Sequence, residues 1–168
     1  MDKVEILILR NLLFNEEYLR KVVPFIKAEY FEEITQKVIF EEIWNFVQEY
    51  NQATTKEVLC IEIEKRSDIT DASFKEITQL ISYLEDVPTD YDWLLDTTEK
   101  WCRDRAIYLA LMESIALADG KDKEKDRDAI PSILSDALAV SFDTHVGHDY
   151  LLDYEARYES YHRKEDKI

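Results

Sequence analysis

Glycine and proline are almost missing from this chain: 2 and 3 residues in 168, against ordinary usage of about 7% and 5%. Tight hairpins and sheets place those residues at their turns, whereas long helices avoid them, so the scarcity points to an all-α fold. With glycine only at Gly120 and Gly147, no P-loop and no dinucleotide fingerprint can be built, because both need glycine where backbone meets phosphate. Cysteine is equally sparse. Cys60 and Cys102 stand alone among apolar neighbours, which excludes a disulfide framework and reads as two buried thiols in a reducing compartment. Positive charge is short too: Lys+Arg 21 against Asp+Glu 37 leaves a formal charge of −16. Such a surface repels phosphate on average and excludes a free-standing nucleic-acid-binding domain, while it suits steered contact with basic proteins. No stretch approaches the ~20 apolar residues of a membrane span. Charges at Asp2, Lys3 and Glu5 break the N-terminus before a signal peptide could form. A soluble, cytoplasmic protein with no membrane contact is expected.

What the chain does have is helical periodicity. Val4, Leu7, Ile8 and Leu12 recur at steps of three and four and predict a helix over 2–14. Asn15 can cap the next helix, with Glu16 and Glu17 in its first turn, and Pro24 should end or kink it. A connector over 27–31 precedes a helix over 32–50. Thr54-Thr55-Lys56-Glu57 has capping-box spacing and opens a fourth helix, although the alternation Cys60-Ile61-Glu62-Ile63-Glu64 also fits a strand. A further helix spans about 71–84 and stops at Val87-Pro88-Thr89. From Asp90 one long helix runs to about Ala118, with Leu94, Thr98, Trp101, Arg105, Tyr108, Met112 and Ile115 on one stripe. The charged turn 119–128 and a shorter helix with Ile130, Ile133, Leu134, Ala137 and Leu138 on its apolar face complete an antiparallel hairpin. A linker over 141–147 leads to a last helix over about 148–164. The organisation expected is a helical head (1–89), a helical hairpin (90–141), and a linker with a docking helix (142–168).

Candidate chemistry is thin. His145-x-x-His148 and Glu159-x-x-His162 have metal-ligand spacing, but a carboxylate-bridged di-metal bundle needs two such motifs and two more glutamates on facing helices. Neither cysteine has a histidine nearby in sequence, and apolar surroundings raise a thiol's pKa. Carboxylate pairs such as Glu32-Glu33, Glu41-Glu42 and Asp90/Asp92 read as solvated helix faces. No catalytic, cofactor or metal site is expected in this chain.

Two apolar surfaces need cover. Trp101, Tyr108, Met112 and Ile115 with Ile133 and Leu134 pack either on the head or on the same hairpin of a second copy, as in two-fold contacts. The terminal stripe of Tyr150, Tyr154, Tyr158 and Tyr161, with Leu151 and Leu152, either folds back on its own head or docks on another subunit. Tyrosine's broad face and polar tip favour the subunit contact.

Beyond periodicity, particular strings carry a resemblance. Leu7 with Leu12-Leu13, Glu29-Tyr30-Phe31, and Lys37-Val38-Ile39-Phe40 with Ile43, then Thr54 and Leu59, resemble the N-terminal head of DnaB-like replicative helicases. Asn15-Glu16-Glu17-Tyr18 with Lys27 to Glu32, and Ala129-Ile130-Pro131 through Ser141-Phe142-Asp143, Val146 to Asp149 and Asp153 to Arg157, narrow it to the T4-type phage branch. The resemblance implies a collar on a hexameric ring, hairpins paired between subunits, and a linker helix, with Leu151, Tyr154, Arg157, Tyr158 and Tyr161, docked on a neighbouring motor. It implies primase and a helicase loader as partners, and DNA contact only through the assembled ring. The chain reaches Ile168 before any Walker motif, so ATP and Mg2+ are expected only in a RecA-like domain of the parent protein, an ATP-driven helicase. The competing class is an acidic adaptor or DNA mimic that blocks a basic nucleic-acid site.

Overall fold

Asn15 ends one helix and begins the next. In this computed structural model, which describes residues 3–121 and 124–142, its backbone is extended (φ −128°, ψ 96°) and its Oδ1 accepts the Tyr18 N–H at 3.1 Å. One orphan donor of the new helix is thereby satisfied. Helix α1 (Lys3–Phe14) thus gives way to α2 (Glu16–Val22) with a single residue between them. Glu16 and Glu17 at its start and Arg20 and Lys21 at its end both oppose the helix dipole. Pro24 takes the chain into a 3-10 turn, Val23–Phe25, and a second turn, Ala28–Tyr30, forms the connector.

Helix α3 (Ile34–Tyr50) stops where Asn51 turns left-handed at φ 53°, a conformation that asparagine tolerates better than most residues. Thr55 caps α4 (Lys56–Glu64) by accepting the Val58 N–H at 3.2 Å, and Thr70 caps α5 (Asp71–Tyr83) through the Ser73 N–H at 3.1 Å. The cap outweighs the local alternation at 60–64, which is helical. Asp90 accepts the Trp93 N–H at 2.9 Å and opens α6 (Tyr91–Ala118). After a third 3-10 turn, Arg127–Ala129, α7 covers Ile130–Leu138. All seven α-helices appear without a strand among the described residues, and the fold is all-α.

The chain divides into two units, Met1–Arg105 and Ala106–Ile168. The head therefore takes in roughly the first four turns of α6, which the reading of 90–141 as one hairpin had placed outside it. Its core is built from α1 (Ile8, Leu9, Leu12), α2 (Tyr18, Leu19, Val22), α3 (Ile39, Ile43), α4 (Leu59, Ile63) and α5 (Ile77, Ile81), all at most 1% exposed. Each such side chain contributes about 1.5–3 kcal/mol when buried.

Two contacts seat α6 in the head. The Tyr18 hydroxyl lies 2.7 Å from the Thr98 hydroxyl, which in turn donates to the Leu94 carbonyl at 2.8 Å. One turn on, Trp101 meets Tyr30 edge-on (5.9 Å, 84°) and Phe31 at 4.9 Å. Arg105 closes this end, its Nε donating to the Tyr30 carbonyl and its Nη1 reaching Glu32 at 3.3 Å. On another face Arg66, with a side chain 19% exposed, ties the α4–α5 loop to α3 through Glu41 and Glu42 at 2.9 and 3.0 Å, and pairs within its own loop with Asp68 at 2.7 Å.

In the second unit, α6 ends in a Schellman motif. Lys121 N–H donates to Ala116 O at 2.9 Å and Gly120 N–H to Leu117 O at 3.0 Å, with Gly120 at φ +72°. Lys125 pairs with Glu113 at 2.9 Å and Arg127 donates to the Ala118 carbonyl at 3.1 Å, which brings the chain back alongside the end of α6.

Two substitutions test this packing in opposite directions. Trp101→Ala should lower stability by about 3–5 kcal/mol in urea unfolding. Gln36 is 0% exposed with no partner for either amide atom among the described residues, so Gln36→Met should raise stability by about 1–2 kcal/mol.

Candidate interaction surface

Helix α6 beyond Arg105 is apolar on more than one side. Ala110, Ser114 and Leu117 are buried at 8% exposure or less, spaced by four and three. On another stripe Tyr108, Leu111 and Met112 are each 48% exposed and Ile115 is 55% exposed. A helix that is apolar around most of its circumference is stable only when covered on those sides. Ile133 and Leu134 on α7 are half-buried, and Leu138 at the end of that helix is 64% exposed.

The expected hairpin surface therefore divides. Tyr108, Met112 and Ile115 lie on one exposed stripe of the second unit. Trp101 does not join them: at 8% exposure it packs against Tyr30 and Phe31 inside the head. The physical reason is supply, since the connector brings two aromatic rings, Tyr30 and Phe31, against Trp101. Leu111 belongs to the exposed stripe and was missed in the sequence reading. It sits three residues after Tyr108 and four before Ile115, so the signal was there in the spacing. Leu151, Tyr154, Arg157, Tyr158 and Tyr161, together with the expected helix over 148–164, lie outside the described residues.

Nucleophile chemistry finds no support in the surroundings of the thiols. Cys102 is fully buried, and desolvation pushes its thiol from 9.0 up to about 12, with the Glu99 charge adding to the rise. Burial raises Cys60 as well, partly opposed by Lys56. A protonated thiol is a poor nucleophile and a poor metal ligand. Among the described residues no three His, Cys, Asp or Glu side chains form a metal-holding group, and His145, His148 and His162 lie outside them. No helix among the described residues is long and apolar enough to cross a membrane.

Cys102 makes a pH prediction. Its folded pKa is raised, so its stabilising contribution is complete below the unfolded value near 9.0 and is lost as pH climbs toward 12. From pH 9 to 10 stability should fall by up to about 1.4 kcal/mol per unit from this group alone. Urea midpoints across that interval should decline less steeply in Cys102→Ala, whatever the offset from the cavity it leaves.

No protein-family model matches the chain. It is 36% identical over 170 residues to the DnaB-like replicative helicase of Enterobacteria phage T4, an alignment that takes in 96% of this chain and 36% of that protein. The chain thus spans about a third of that relative's length. Identity at this level across nearly every helix of the head and the second unit, with an all-helical fold and the strings around Asn15 and Ala129, places it: the chain belongs to the DnaB-like replicative helicase family of phages, as an N-terminal domain.

Proposed function

We propose that this chain is a collar domain, which assembles copies of itself within a hexameric replicative helicase and recruits primase and the helicase loader. The observation that carries this reading is the stripe Tyr108, Leu111, Met112 and Ile115, about half exposed on a helix whose Ala110, Ser114 and Leu117 are already buried. A self-complementary apolar helix face is what a two-fold contact between identical chains requires. Similarity to a DnaB-like replicative helicase supplies the context of DNA replication.

In this reading the whole protein would unwind DNA with ATP and Mg2+ held in a RecA-like domain, and this chain would contribute no catalytic group. Its formal charge of −16 suits a domain that guides DNA through a ring without gripping phosphates, since like charges prevent close approach. Leu151, Tyr154, Arg157, Tyr158 and Tyr161 would dock on a neighbouring motor domain. The protein would act in the cytoplasm of the host cell.

Self-association is the direct test. The 168-residue chain should sediment as a concentration-dependent oligomer, and Met112→Glu/Ile115→Glu should shift it to monomer without lowering its melting temperature by more than ~2 °C, as expected of exposed positions. A wild-type chain that stays monomeric at millimolar concentration would remove the assembly role. Trp101→Ala is the wrong probe, because its ring packs inside the head against Tyr30 and Phe31 and its loss destabilises the head itself.

A further inference from the structure

A groove of about 560 Å3 opens on the head between the start of α3 and the last turns of α5. Glu33 and Thr35 line one side, and Glu76, Gln79, Leu80 and Tyr83 line the other. The α5 residues recur at steps of three, one and three and share one helix face. Leu80 is 6% exposed and forms an apolar floor, while Tyr83, at 66%, is the most exposed large apolar side chain of the head.

Two carboxylates and the charge of the whole chain make the groove electronegative. Glu33, at the N-cap of α3, and Glu76 of α5 line it from opposite sides, and neither is engaged by a cation of the described residues. Helix α5 ends here with no basic residue in its last turn, so its carbonyl end adds partial negative charge, which the N-terminus of α3 at Glu33 and Thr35 offsets. Lys56 offsets that end in part by donating to the Ser82 carbonyl at 3.2 Å, yet it is not one of the residues lining the groove. The chain as a whole carries −16, which draws cationic segments toward it over a Debye length or so.

We infer that this groove seats an arginine side chain from a basic segment of a partner protein. A guanidinium presents flat, forked donors that two carboxylates can share, and it stacks on a tyrosine face. Its methylene stem lies well on an apolar floor such as Leu80. A lysine ammonium satisfies the charge but neither the fork nor the stacking. Nucleic acid is repelled by the same carboxylates. The inference rests on the head alone and stands whether or not the α6 stripe pairs copies of the chain.

The test titrates the full chain onto a fluorescein-labelled peptide of alternating arginine and alanine, read by anisotropy at low and near-physiological salt. Saturable binding is expected. Glu33→Gln/Glu76→Gln should weaken it at least about ten-fold, and Glu49→Gln/Glu64→Gln, which removes equal charge elsewhere on the head, less than about two-fold. Tyr83→Ala should weaken the arginine peptide several-fold and leave a lysine peptide of equal charge nearly unaffected. Circular dichroism melts confirm that each variant folds, since all these positions are exposed. Three results overturn the inference: no saturable binding by wild type, equal loss in the two double variants, or equal affinity for the lysine peptide.

Discussion

Everything in the head converges on how the first half of α6 is held. Tyr18 and Thr98 form a buried polar contact in a largely apolar seam, and Trp101 packs against Tyr30 and Phe31. Burial raises the Tyr18 phenol far above its ordinary range, although the Thr98 hydrogen bond partly opposes that rise. The phenol is therefore neutral, and it is a positioning group. Without this seam α6 would be a long helix with apolar residues on several sides and nothing to say which of them faces inward. With it, the rotation of the first half of α6 against the head is set.

Positive charge is scarce and much of it is committed to structure. Arg20 pairs with Glu16 and donates to the Asn51 carbonyl, Arg66 gathers Glu41, Glu42 and Asp68, and Arg105 holds the Tyr30 carbonyl. Each joins segments far apart in sequence, a task suited to a forked, always-charged donor. These arginines are held in intramolecular contacts, and the remaining surface is left acidic. A partner that brings cations meets little competition from the chain's own.

Helices and their caps were largely legible in the sequence because their causes are local. Asn15 and Thr55 accept the hydrogen bonds that their spacing from Tyr18 and Val58 implies. The alternation at 60–64 misled only as a rival to helix, and the threonine before it decided the matter. The role of Trp101 was not legible. Periodicity says which residues share a face, not what covers that face, and the cover comes from Tyr30 and Phe31, about seventy positions away. For the same reason the head reaches past Asp90, where the helix begins, to Arg105. The groove of Glu33 and Glu76 escaped notice because the carboxylates come from separate helices and each alone looks like a solvated charge.

The unequal burial of the two cysteines has a practical side. Cys102 is sealed in the core, whereas Cys60 sits on α4 with part of its side chain in solvent. The head thus carries one native handle that a maleimide dye or spin label can reach at mildly alkaline pH, and one that it cannot. A reporter can be attached to α4 without changing a residue, and distances from it to a labelled partner can be measured on the unaltered polypeptide.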